Sequence, residues 1–318
     1  MTTEGDKTKI MYTSPHDVPV LIGVIGGTGT YSVEAMQNIK HYTIPTPYGM
    51  PSGNVWVATV SGVLCAFIAR HGYNHEFTPD EVNYRANVYA MKLLGVKYLI
   101  GANAVGSLDE KFLPGDIVLA DQIIDRTTGR HSTFFGNGIV AHVDYAYPLS
   151  AKFRQLALDV LMKLMPELIE ETGASKPWKL CEGATLVTMS GPQFSTRAES
   201  FVNKNLGGHL IGMTTATEAK LAREAEMAYL VLAAVTDMDA WTDGAHVDSR
   251  GVREVMALNV RKLQVFIVEL IKAVASRPFD DPAHSCMEYA VTTKPSAITK
   301  EVRQRVAPLL VKYPQYAP

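Results

Sequence analysis

Val20-Leu21-Ile22-Gly23-Val24-Ile25 runs directly into Gly26-Gly27-Thr28-Gly29. Six apolar or glycine residues in a row leave no polar face, so the run reads as a strand buried on both sides. The glycines that end it let backbone N–H groups approach an anion closely, and the Thr28 hydroxyl adds a donor. A dinucleotide fingerprint is the rival reading of this turn. It would need glycine at position 32, where the chain has Ser32, and an acidic residue about twenty positions on, where it has Thr46-Pro47. An anion-binding turn and a tight turn without a ligand both remain open on this stretch alone.

Outward from this strand the pattern alternates. Strand-like runs are expected at 54–59, 63–69, 98–102, 117–120, 184–189, 209–213 and 229–236. Helical periodicity is expected at 79–94, 150–165, 198–204, 218–225 and 252–275. Residues 103–107 read as a small-residue loop, 126–147 as a long irregular segment rich in Thr, Gly, His and aromatics, and 166–179 as a polar linker. Alternation of this kind predicts an α/β fold: a single domain with a central mixed, mostly parallel twisted sheet flanked by helices. The domain is expected to span 20–275, with a flexible extension at 1–19 and a C-terminal extension at 276–318 holding one helix near 300–306.

Composition narrows the function classes. Of 318 residues 47% are hydrophobic, enough for a large core. The net charge of −2 and the lack of a Lys/Arg run argue against a non-specific grip on nucleic acid or an anionic membrane. Cys65, Cys181 and Cys286 are far apart and form no CxxC pair, so neither a disulfide framework nor a zinc site is expected. The first 19 residues contain no apolar signal core, and no apolar stretch approaches the ~18 residues of a membrane span. A reduced, cytoplasmic protein is the expectation.

Several strand ends carry anion-friendly chemistry. Arg70-His71 follows the 63–69 run, and Arg offers a planar fork suited to phosphate. Asn103-Ala104 and Met213-Thr214-Thr215 follow two further strands, and His75 lies just beyond His71. In open α/β sheets ligands collect outside the carboxyl ends of strands. Thr214 is equally readable as a helix cap with Glu218 in the first turn, a role compatible with ligand contact. The sharpest local feature is Thr236-Asp237-Met238-Asp239, two carboxylates at i and i+2 after an apolar strand. Two adjacent carboxyls in a partly buried site repel, so one pKa rises and its proton becomes available to a leaving group.

Taken in order, Ile25-Gly-Gly-Thr-Gly29, Ala69-Arg-His-Gly72, Asn83-Tyr-Arg-Ala-Asn87, Ala104-Val-Gly-Ser107, Pro114-Gly-Asp-Ile-Val118, Gly191-Pro-Gln-Phe-Ser195, Arg197-Ala-Glu199, Gly212-Met-Thr-Thr215 and Thr236-Asp-Met-Asp239 resemble the trimeric purine nucleoside phosphorylases, and most closely the S-methyl-5′-thioadenosine phosphorylases. The likeness covers about Val20 to Ala275. It implies inorganic phosphate as co-substrate, held by Thr28, Arg70, His71, Asn103 and Thr214. It places Ala104 and Met213 along the ribose, Phe194 on the base, and Ser195, Asp237 and Asp239 at the base edge. His75 and His142 would lie toward the 5′ end. By the same resemblance Asp237 is the general acid to purine N7 and Asp239 accepts from the 6-amino group. No metal or organic cofactor is implied, and the assembly would be a homotrimer.

Base-edge chemistry points to a 6-amino purine. Adenine presents a donor at C6 and needs acceptors, which ionised carboxylates supply. The 6-oxopurine relatives have Asn and Glu where this chain has Asp237 and Ser195. A mismatched buried pair discriminates by about 10²–10⁵. The substrate implied is 5′-methylthioadenosine, cleaved to adenine and 5-methylthioribose 1-phosphate, with adenosine a second candidate and broader 6-amino or 6-oxopurine specificity the alternative. Residues 243–252, where the resemblance puts aliphatic contacts to the methylthio group, are more polar here. Ala216-Thr217-Glu218 likewise stands in place of Val-Pro-Glu.

Overall fold

The computed structural model describes residues 20–27, 33–172, 180–243 and 247–318. The opening run is a strand, β1 (Ile22–Gly26), and every residue in it is buried. It pairs in parallel with β4 (Val63–Ala69) on one side and β5 (Tyr98–Ser107) on the other. Beyond β4 the sheet continues antiparallel through β3 (Val55–Val60) to the edge strand β2 (Met36–Tyr42). β2 was not anticipated: most of its residues are at least partly exposed, so it lacks the apolar signature of its neighbours.

At β5 the sheet divides and closes on itself. β5 pairs in parallel with β9 (Ala228–Asp237) and antiparallel with β8 (Leu210–Gly212). β8 pairs with β7 (Leu180–Met189), β7 with β6 (Ile117–Arg126), and β6 returns antiparallel to β9. Five strands thus form a ring, and β1, β4, β3 and β2 extend from it as an open arm. Five of the nine pairings are parallel, so the sheet is mixed as expected.

Alternation along the central strands divides the core into two layers. Tyr229, Val231, Ala233 and Val235 of β9 join one cluster with α1 (Tyr84–Leu94) and α4 (Thr215–Glu224). Leu230, Leu232 and Ala234 join the other with α2 (Ala151–Thr172) and α5 (Ser249–Ser276). The remaining helices are α3 (Arg197–Asn205) and α6 (Lys300–Val306). The C-terminal tail lies on its own chain: Val306, Leu310 and Tyr313 are buried in the first cluster, and the Tyr313 hydroxyl donates to Glu226 at 2.5 Å. Among the described residues no helix is long and apolar enough to cross a membrane.

Several boundaries depart from the sequence reading: β6 runs on to Arg126, β7 starts at Leu180 and α4 at Thr215. Helix α1 starts at Tyr84, not near 79, because the Asn83 side chain caps it by accepting the Ala86 N–H. Helix α2 continues to Thr172, through part of what reads as a linker. Most important for the site, residues 103–107 are not a loop but the second half of β5, paired with β9 as far as Gly106↔Asp237.

Candidate active site

The site forms where the arm meets the ring. Arg70 follows β4 directly and is 2% exposed. Its guanidinium donates Nη1–H to the Ala102 carbonyl at 3.0 Å and Nη2–H to the Ile25 carbonyl at 3.2 Å, tying β4 to β1 and β5. The planar fork, expected on phosphate, is occupied by the Glu218 carboxylate: Nε donates to Oε1, and Nη2 to Oε2 at 3.0 Å. Tyr229 adds its hydroxyl to Glu218 Oε2 at 2.7 Å. It reaches that far because Gly101 has no Cβ, which would stand 2.3 Å from the phenol oxygen. What Arg70 brings to the site is therefore a rigid buried cation partly balanced by Glu218.

From Arg70 a directed chain of hydrogen bonds runs toward α4. Nη2 donates to Asn103 Oδ1 at 3.3 Å, and Asn103 Nδ2 donates to Thr214 Oγ1 at 2.8 Å and Thr215 Oγ1 at 3.2 Å. Thr214 occupies the N-cap position of α4 but makes no side-chain capping bond. Because its oxygen accepts from Asn103, its own hydroxyl proton points elsewhere and suits an anion at the positive end of the helix. Arg70, Asn103 and Thr214 are thus brought together, as expected. Thr28 lies outside the described residues.

His71 packs at the same end. Its Nδ1 donates to the Phe77 carbonyl at 2.9 Å, leaving Nε2 as the acceptor of a neutral ring. Burial, reinforced by the Arg70 charge, lowers its pKa to about 4. His75, expected toward the 5′ end, stacks on His71 with ring centroids 4.6 Å apart. His142 is exposed and is tied to the tail: its N–H donates to the Ala290 carbonyl beside the Ala141↔Val291 bridge. It takes no part in the hydrogen-bonded set around Arg70.

The second end of the site lies further along β5. Ala104 is exposed in a strand otherwise buried, and Gly106 shares its face. Asp237 and Asp239 lie against Gly106, where a Cβ would meet Asp237 Oδ1 at 2.8 Å and the Asp239 Cβ at 3.5 Å. The two carboxylates do not follow one strand, because Asp239 turns into the left-handed region at φ 48°. Asp237 is positioned by the Thr236 hydroxyl at 2.8 Å and the Asp239 N–H at 2.9 Å. Asp239 is 3% exposed, and its Oδ2 has no hydrogen-bond partner. Burial raises its pKa and the Asp237 charge adds to the rise, against nearby Ser200, Ala240 and Ser195 donors. The pair thus contains a carboxyl shifted upward, and it is Asp239.

Beside this pair a cavity of about 260 Å³ is lined by Met189, Ser190, Gly191, Phe194, Ser195 and Asn203, among others. Phe194 and Ser195, the residues expected at the base, are both in this lining. Met213 borders the same region, but its carbonyl is taken by Arg130 Nη1 at 2.5 Å, so a ligand contact through its backbone falls to its N–H. Sequence reading did not single out Ser200 and Asn203, whose side-chain oxygens are buried without partners, or Arg130. Nor did it give Glu218 a part beyond the first turn of a helix. Glu218 had one sequence signal: it is a charge among small residues and leucine on the first two turns of a helix whose buried face takes further charges only at its end, Arg223 and Glu224.

Comparison with known proteins identifies the family. Residues 21–272 match the model of the phosphorylase superfamily. The chain is 44% identical over 298 residues to S-methyl-5′-thioadenosine phosphorylase of Synechocystis sp., covering 93% of this chain and 89% of that one. It superposes on a methylthioadenosine phosphorylase from an antarctic soil metagenomic library with a TM-score of 0.84 at 40% identity, covering 92% and 99%. It also superposes on a point mutant of adenosine/methylthioadenosine phosphorylase from Schistosoma mansoni in complex with methylthioadenosine, with a TM-score of 0.74 at 34% identity, covering 81% and 92%. A family model that spans nearly the whole core and relatives of this identity and coverage place the chain in the phosphorylase superfamily, within its S-methyl-5′-thioadenosine phosphorylases.

Proposed function

We infer that this chain cleaves the glycosidic bond of 5′-methylthioadenosine with inorganic phosphate, releasing adenine and 5-methylthioribose 1-phosphate. The observation that carries this reading is a two-ended site along β5. At one end Arg70, Asn103 and Thr214 are hydrogen-bonded in series; at the other Asp237 and Asp239 meet across Gly106. Phosphate occupies the first end, near His71 and the start of α4, and attacks C1′ as the bond to N9 breaks. Its charge stabilises the oxocarbenium-like sugar. The purine occupies the second end beside Phe194 and Ser195. The proton that the carboxyl pair holds passes through Asp237 to N7 of the departing base, which leaves Asp239 ionised to accept from the 6-amino group. The reaction needs no metal or organic cofactor.

The same reading makes the enzyme a cytoplasmic homotrimer. Phe201 and Val202 of α3 and Leu206 just after it are exposed apolar residues on the helix that lends Asn203 to the cavity, a surface suited to a second copy. The decisive measurement is base release from 5′-methylthioadenosine, adenosine and inosine, each with and without phosphate. Phosphate-dependent adenine release with inosine inert is expected. Release without phosphate, or inosine as the best substrate, would overturn the reading.

A further inference from the structure

Arg130 belongs to the irregular segment after β6, yet its side chain is only 4% exposed. Its Nη1 donates to the Met213 carbonyl and, at 3.5 Å, to the Thr217 hydroxyl; its Nη2 donates to the Ser190 carbonyl at 2.7 Å. Nε pairs with Asp80 Oδ1 at 2.8 Å, and the guanidinium lies over the Tyr84 ring at 5.4 Å. The contacted segments are those that carry the site. Met213 immediately precedes Thr214. Ser190 opens the turn that presents Phe194 and Ser195. Asp80 follows the loop that begins at His71. One planar group thus ties the loop at Asp80 to the ends of β7 and β8, just past the point, Thr188↔Gly212, where the ladder between those two strands stops. The guanidinium is the side chain suited to this, because it offers five donors in a fixed plane and stays charged.

We propose that Arg130 is a positioning residue for the phosphorolysis inferred above, acting by holding the Met213 and Ser190 carbonyls in register. It touches neither substrate nor phosphate. Its contribution lies in geometry, where a displacement of about 1 Å costs on the order of 10²-fold in rate. The proposal rests on the functional reading, and its test is chosen so that the two fail separately.

Arg303 provides a matched control, since it likewise donates to several carbonyls, those of Ile298, Gln315, Ala317 and Pro295, but within the C-terminal tail. The experiment compares Arg130→Met, Arg130→Lys and Arg303→Met with the wild type, each assayed at a temperature where circular dichroism shows it folded. Adenine binding is measured on the same samples by calorimetry. Arg130→Met is expected to lower kcat per folded site by about 10²-fold, with a smaller change in KM and weaker adenine binding. Arg130→Lys, which retains the charge and reaches one carbonyl, should recover part of kcat. Arg303→Met should melt earlier with kcat intact. Wild-type kcat and adenine affinity in Arg130→Met, or an equal loss of kcat in Arg303→Met, would overturn the proposal. Should Arg130→Met not fold, Arg130→Lys decides: an unchanged kcat and adenine affinity count against positioning. A wild type that binds adenine but shows no phosphorolysis would sink the functional reading, and the adenine arm would still judge Arg130.

Discussion

The two ends of the site are built on opposite principles. At the anion end the polar groups of Arg70, Glu218, Asn103 and Thr214 already satisfy one another in a buried network. At the base end Asp239 Oδ2, Ser200 Oγ and Asn203 Oδ1 are buried without a hydrogen bond of good geometry, although Ser200 lies close enough to act on the Asp239 charge. A satisfied buried network is rigid and fixes geometry before a ligand arrives, whereas an unpartnered buried group costs about 1–3 kcal/mol until something pairs with it. The anion end should therefore contribute to stability and the base end should subtract from it, with the purine supplying what is missing.

The strongest way to break this contrast is Arg70→Met. Removing one partner of a buried pair leaves Glu218 charged and uncompensated, which typically costs about 3–5 kcal/mol. The variant is expected to unfold at markedly lower denaturant concentration and to lose phosphate binding. An equilibrium urea titration decides: a loss under about 1 kcal/mol, the range of surface pairs, would mean that the network is dispensable.

A smaller effect should appear at His71, whose folded pKa of about 4 lies below the 6.5 of the free side chain. The unfolded chain takes up a proton as pH falls through 6.5, and the folded chain resists until about 4. Stability is therefore present above 6.5 and lost as pH falls through this window, by at most about 3 kcal/mol. His71→Asn should flatten the slope of the denaturation midpoint between pH 7 and 4.5. An unchanged slope would show that the imidazole is not held neutral by its surroundings.

How much of this was legible from residue order depends on how local each signal is. The opening strand, Arg70, Thr214 and the two aspartates each sit at the end of an apolar run, so sequence adjacency marks them. The ring was hidden, because it depends on antiparallel returns of β6 to β9 and β8 to β5 that no single segment encodes. The second half of β5 was misread because Asn103, Ala104 and Gly106 resemble a loop until β9 is laid beside them. Glu218 and Arg130 escaped for the same reason: their partners are Arg70, 148 residues away, and carbonyls 60 and 83 residues away. Carbonyl partners leave no trace in side-chain identity.

The contrast is sharpened most by the smallest change, Asp239→Asn. The substitution keeps the shape, removes a buried charge and supplies an amide that can donate to Asp237 or Ser200. In the empty enzyme it should raise stability, by about 1 kcal/mol. The sign of its pH dependence is fixed by the raised pKa of Asp239. The folded wild type holds that proton to higher pH than the unfolded chain, so its stability falls as pH rises, and Asn escapes the fall. The gain should therefore be larger at neutral pH than in the ordinary aspartate range near 3.8, a difference that cancels any slope shared with other groups such as buried Glu224, whose pKa is about 7. Function should move the other way: kcat/KM for 5′-methylthioadenosine drops, since an acceptor for the 6-amino group becomes partly a donor. Paired thermal melts and kcat/KM at both pH values would test this. A variant that loses stability as well as activity would place Asp239 inside the satisfied framework, and the division between the two ends would fail.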